Sequence, residues 1–162
     1  MATLRVGTGF DQHPFVSESE PRRALMLGGV LFDADRGLKG HSDADVVAHA
    51  IADAMLGAAG LGDLGGHFPE TDETWAGADS LEILAHVAVL VAKEGWRLSN
   101  ADCTVICETP HIGGARETMM ERLSAAAGGI VHVKATRPEG LGDLGRGEGI
   151  ACLATALLEE IG

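Results

Sequence analysis

Gly7-Thr-Gly-Phe-Asp-Gln-His-Pro-Phe15 continues a strand-like run that begins at Leu4, near the start of a chain of 162 residues. Leu4–Phe10 reads as a β-strand. If the backbone is still extended beyond it, Asp11 and His13, two positions apart, leave the same face and can grip one cation. His49, about one helix further on, offers a third ligand. Zinc with three protein ligands keeps its fourth position open, which is the arrangement of a reaction site rather than of a structural plug.

The segment carrying His49 predicts the first helix, Ala44–Ala59. Ser42-Asp-Ala-Asp45 opens it as a variant of the capping box, and Gly60 stops it. Val47, Ile51, Ala54 and Ala58 recur at helical spacing and point to the core. Asp45, His49 and Asp53 are spaced by four on another face, with a carboxylate one turn above and one turn below the imidazole. Such a carboxylate can orient a metal-bound histidine and fix its tautomer. The alternatives are that Asp45 only caps the helix and that Asp53 is solvated.

Around this pair, Ala24–Leu27 and Val30–Phe32 read as a hairpin turning at Gly28-Gly29. Ser80–Glu94 reads as a helix ended by Gly95, Arg97–Cys107 as a strand, 114–127 as a helix and Val131–Thr136 as a strand. Gly149–Ile161, rich in Ala and Leu, reads as the last helix. Strands mixed with helices imply an α/β fold of the α+β type, with a single mixed β-sheet covered by helices. The length fits one domain over residues 1–162.

Twelve basic against 24 acidic side chains give a net charge of −12, which argues against non-specific binding to nucleic acid or anionic membranes. Any anionic ligand must be held by local charge. Cys103, Cys107 and Cys152 are odd in number and form no C-x-x-C, so buried reduced thiols are expected rather than disulfides or a cysteine zinc cluster. Apolar stretches fall short of the roughly 20 residues a membrane span needs, and a cytoplasmic protein is the simplest reading.

Three loops carry further chemistry. Leu38-Lys-Gly-His-Ser-Asp-Ala-Asp45 sets His41 and Ser42 at the positive end of the first helix, where a phosphate is readily held. Leu61–Asp72, with few helix or strand signals, reads as a shaped functional loop. Val133–Gly149 gathers Lys134, Arg137 and Arg146 among glycines, a setting for polyphosphate, and Glu139 fits there if it carries a hard cation such as Mg²⁺.

Six segments together resemble one family. They are Phe10-Asp-Gln-His13, His41-Ser-Asp-Ala-Asp-Val-Val-Ala-His49, Asp53–Gly65, Phe68-Pro-Glu-Thr-Asp72, Ala78-Asp-Ser80 and Gly145–Ala151, in an order and spacing similar to the 2-C-methyl-D-erythritol 2,4-cyclodiphosphate synthases. The resemblance implies helices on one side of each sheet and a homotrimer with active sites between neighbouring subunits. It implies 4-diphosphocytidyl-2-C-methyl-D-erythritol 2-phosphate as substrate, whose 2-phosphate closes onto its own β-phosphorus and expels CMP, in the non-mevalonate route to isoprenoid precursors. Phosphate attack on a diphosphate needs positioning and charge neutralisation above all.

By the same resemblance Asp11, His13 and His49 bind Zn²⁺, and Glu139 is the candidate ligand of a Mg²⁺ or Mn²⁺ ion bridging the diphosphate. His41 and Arg137 are the candidate catalytic residues, with Ser42 beside His41 in the loop that meets phosphate. Asp63, Leu64 and Gly65 would meet the ribose and erythritol, and Phe68, Pro69, Glu70, Thr71 and Asp72 the methylerythritol end. Thr109, Pro110, His111, Ile112, Gly113, Gly114 and Ala115 would form the cytosine pocket, contributed by a neighbour. Thr136 and Pro138 would contact the diphosphate, and Asp143 and Arg146 lie near the central axis. This chain departs from the family's usual residues at Arg137, where threonine is common and the cation is expected to substitute by charge. It departs also at Asp143 for phenylalanine, Glu70 for aspartate and His111 for lysine.

Overall fold

A computed structural model describes residues 3–162. Strand β1 (Leu4–Pro14) is longer than expected and stays extended through Asp11 and His13. The short strands β2 (Leu25–Leu27) and β3 (Val30–Phe32) pair as the expected hairpin, with Gly28 and Gly29 both at positive φ, as a two-residue turn of this twist requires. This hairpin is a separate two-stranded ribbon beside the main sheet.

Helix α1 (Val46–Ala59) follows, then the short α2 (Leu64–His67), a 3-10 turn at Glu73–Trp75, and α3 (Ser80–Lys93). The loop expected over Leu61–Asp72 thus contains one short helix, capped by Asp63 through the Gly66 N–H. Strand β4 (Trp96–Ile106), helix α4 (Arg116–Ala127) and strand β5 (Ile130–Thr136) match their expected places within two residues, and α5 (Gly142–Gly145) is a single turn.

The expected last helix is a correction. Gly149–Glu160 is strand β6, which lies inside a four-stranded sheet of order β1-β6-β4-β5. It pairs antiparallel with β1 and with β4, while β4 and β5 run parallel. Ile150, Cys152, Ala154, Ala156 and Leu158 alternate into the core. Of the four residues between them, Ala151, Leu153 and Leu157 are apolar as well and Thr155 alone is polar, so the period of two was masked. Two flanking strands supply ladder partners to every residue, and that outweighs the helix propensity of an Ala- and Leu-rich run.

Helix α1 is buried on nearly all sides. It lies directly on β1, because a Cβ on Gly7 would stand 2.1 Å from the Ala54 carbonyl oxygen, and one on Gly9 2.0 Å from that of Ala50. Glycine at these two positions lets the helix backbone approach the strand, and so brings His49 over Asp11 and His13. The helices cover one sheet face; the other leaves Leu4, Val6, Phe10 and Leu153 exposed. All three cysteines are free and buried, as expected, and no described helix is long and apolar enough to cross a membrane.

Candidate active site

Asp11 and His13 leave the helix-facing side of β1, and His49 descends from α1 to meet them. The Asp11 Oδ2 atom lies 3.2 Å from His13 Nε2 and 3.0 Å from His49 Nδ1. One ligand atom from each residue falls within 4.8 Å of the other two, and among the described residues this is the metal-competent group. Burial alone pushes the Asp11 carboxyl up, but hydrogen bonds and charge from the two histidines outweigh it and hold the group well below the usual carboxylate range. His13 moves the other way: burial lowers its pKa, yet Asp11 raises it further, helped by a hydrogen bond to the Lys39 backbone.

The donor chemistry fits a divalent metal ion. Two imidazoles and a carboxylate converge on one point, and the remaining ring nitrogen of each histidine is already engaged, so the ligating nitrogens are left facing inward. The group opens into a cleft of about 220 Å³, walled by His41, Ser42, Leu64, Gly65, Phe68, Glu70 and Trp75.

The expected orienting carboxylates on α1 do other work. Asp45 is wholly buried, caps α1 through the N–H groups of Val47 and Ala48, and accepts the N–H groups of Gly28 at 2.9 Å and Gly29 at 2.7 Å. Burial pushes its pKa up, opposed by those backbone donors. Asp45 thus locks the hairpin turn onto the helix start and occupies the N-terminal position where a phosphate was expected. Asp53 accepts the Leu64 N–H at 3.0 Å and anchors α2. Neither carboxylate touches His49. Its Nε2 instead faces the hydroxyls of Ser42 and Ser80, at 3.2 and 2.9 Å.

His41 Nε2 donates to the Asp72 carbonyl at 3.0 Å, tying two walls of the cleft together. The Asp72 side chain accepts the Thr74 N–H and starts the 3-10 turn, while Pro69 and Thr71 are exposed beside it. Phe68 packs edge-on against Trp75, with ring centroids 4.8 Å apart. Trp75 is a wall residue that sequence reading missed; an aromatic seven residues after Phe68 was the available signal.

The second half of the expected site lies apart. Pro110, His111, Ile112, Gly113, Thr136 and Arg137 line a separate cleft of about 340 Å³ at the β5 edge, and share no lining residue with the first. Thr109, Gly114 and Ala115 are in the same loop but outside that lining. Arg137 and His111, both departures from the family pattern, meet there: Arg137 donates to His111 Nε2 at 3.1 Å. Pro138 and Glu139 follow, with Glu139 exposed at φ 55° and Gly140 held by Glu108. Glu139 is not part of the Asp11 group. Asp143 and Arg146 form an exposed ion pair with each other, which Glu148 joins.

Residues 4–159 match the model of the YgbB family, and the chain belongs to that family. It is 52% identical over 158 residues to the 2-C-methyl-D-erythritol 2,4-cyclodiphosphate synthase of Symbiobacterium thermophilum, covering 96% of this chain and 98% of that protein. It is equally similar, at 52% over 160 residues, to the bifunctional enzyme IspD/IspF of Anaeromyxobacter dehalogenans. The match covers 97% of this chain and 40% of that longer protein. The chain therefore spans about two fifths of its bifunctional relatives and nearly the whole of its shorter ones. Among solved structures, it resembles the IspF of Plasmodium falciparum in complex with CDP, at 30% identity with a TM-score of 0.83, over 98% of this chain and 97% of the other.

Proposed function

We propose that this protein converts 4-diphosphocytidyl-2-C-methyl-D-erythritol 2-phosphate to 2-C-methyl-D-erythritol 2,4-cyclodiphosphate and CMP, for isoprenoid precursor biosynthesis in the cytoplasm. The observation that carries the reading is the Asp11, His13 and His49 group opening into a loop-walled cleft, in a chain matching named synthases end to end. The whole chain, 1–162, then serves as one cyclodiphosphate synthase domain.

In this reaction an oxygen of the 2-phosphate forms a bond to the β-phosphorus, and the bond from that phosphorus to the bridging oxygen breaks. CMP leaves with the bridging oxygen, and no water enters. Asp11, His13 and His49 would hold a divalent ion, zinc in our reading, which would supply positive charge near the diphosphate; Glu139 is the candidate ligand for magnesium or manganese. The protein's own groups do the positioning. The Asp72–His41 tie holds two walls of the cleft in register, and Leu64, Phe68 and Trp75 exclude water from its apolar side. The cation of Arg137 stands in the second cleft, beside His111, where the cytidine diphosphate end is expected.

Two features support a homotrimer with shared sites. The two clefts sit at opposite edges of a four-stranded sheet, so a substrate touching both kinds of residue draws one half from another copy. The open sheet face exposes Val6 at 67% and Phe10 at 54%, beside Leu4 and Leu153. Exposed apolar side chains clustered on one sheet face support the reading of that face as an interface between copies.

The test is phosphorus NMR of the protein with the diphosphocytidyl substrate, Zn²⁺ and Mg²⁺. Cyclic diphosphate and CMP are expected. Linear phosphates would mark a hydrolase, and unchanged substrate a binding module.

A further inference from the structure

We infer that Ser80 and Asp43 act as a pair of positioning residues that fix the tautomer and direction of the metal-facing imidazole of His49; the inference rests on the metal-site reading above. His49 Nδ1 faces Asp11 Oδ2 at 3.0 Å, on the side where the three ligand atoms converge. A neutral imidazole that ligates through Nδ1 must carry its proton on Nε2, and that proton needs an acceptor. The Ser80 hydroxyl lies 2.9 Å from Nε2 and is fully buried.

A serine hydroxyl both donates and accepts, so its neighbours decide which way it points. Ser80 donates to the Asp43 carboxylate, a group that only accepts. Asp43 is held in turn by the Ser80 N–H on one oxygen and by the Asp45 N–H on the other, each at 3.1 Å. The direction of the chain is therefore set: Nε2–H to the hydroxyl oxygen, and the hydroxyl hydrogen to the carboxylate. Ser42 is the competing partner at 3.2 Å, but its hydroxyl accepts from the Ala44 N–H and lies 3.4 Å from the Ser80 hydroxyl, whereas Ser80 is the one that donates to a carboxylate. Asp43 thus passes its negative charge to the ring through Ser80, which makes Nδ1 a stronger donor. Ser80 is the first residue of α3, while His49 belongs to α1, so the device also ties the ligand to a second helix.

The experiment titrates metal-free protein with Co²⁺ against a chelator, reading affinity and the visible cobalt band for wild type, Ser80→Ala, Ser80→Thr, Asp43→Asn and His49→Ala. Ser80→Ala is expected to weaken cobalt binding about 10- to 100-fold and to shift the band. Ser80→Thr, which keeps the hydroxyl, should restore most of both. Asp43→Asn, which keeps the shape and removes the charge, should give a smaller loss in the same direction, and it carries the test if Ser80→Ala does not fold. Wild-type affinity and an unshifted band in Ser80→Ala and Asp43→Asn, with binding lost in His49→Ala, would overturn the pair while leaving the metal site standing. Cobalt retained in full by His49→Ala would overturn the metal site and the pair together.

Discussion

The two clefts of this chain are built on different terms. The metal-side cleft is assembled from buried and half-buried, mutually bonded groups: Asp11, His13, His49, Ser42 and Ser80 hold one another across β1, α1, α3 and the loop before α1. The cleft at the β5 edge is more exposed, and its tie between two side chains is that of Arg137 to His111. In the trimer proposed above the second cleft faces a neighbouring subunit, so on that reading the metal-side geometry is set within one chain and recognition is left to assembly.

The largest effect should come from breaking the first cleft. His13→Ala is expected to lose bound zinc and to lower turnover at least about a thousandfold, because a two-ligand site no longer holds the ion that neutralises the diphosphate. Metal analysis and a phosphorus NMR time course would check it, and full activity would sink the metal assignment. Next comes separation of the two clefts. Val6→Glu on the open sheet face should shift the sedimenting species to a single chain and cost most of the activity, while cobalt affinity stays near wild type. Loss of metal affinity together with assembly would show that the first cleft also depends on neighbours.

Gly9→Ala should destabilise the fold by about 2–3 kcal/mol or more, since overpacked cores rarely relax fully. A Cβ at Gly9 meets the Ala50 carbonyl at 2.0 Å, so α1 must lift and carry His49 away from Asp11. Denaturant titration and cobalt binding should fall together. The smallest effect is expected at Arg137→Thr, which should alter KM a few-fold and leave metal affinity unchanged; a large loss of turnover would show that the arginine has become essential.

Proton linkage gives a further test of the first cleft. In metal-free protein the raised His13 pKa contributes stability that is present below its unfolded value of 6.5 and is lost as pH rises through the folded value. The lowered Asp11 pKa contributes stability above its unfolded value of 3.8, lost as pH falls through the folded value. The metal reverses the first dependence, because His13 must release its proton to ligate. Denaturation at pH 5 and pH 8, with and without Zn²⁺, should show opposite slopes.

Most of the architecture was legible because its signals are local. A glycine pair between apolar triplets marks the hairpin, and the two-residue spacing of Asp11 and His13 places both on one side of a strand. His49 offers the third ligand from its place about one helix further on, and the resemblance joins the loops to the same site. The errors came where neighbours outvoted local preference. Gly149–Glu160 is a strand because β1 and β4 flank it, although its composition favours a helix. Asp45 and Asp53 share a helix face with His49 and yet serve a hairpin and a short helix instead.

Spacing along the chain sufficed to put Asp11 and His13 on one face of a strand, since that is governed by a backbone period of two. The company those residues keep was settled only by packing. Ser80 stands 31 positions from His49, and Arg137 stands 26 from His111. No period links such pairs; they meet because glycines at 7 and 9 let α1 rest on β1, because α3 packs against α1, and because β4 and β5 run side by side.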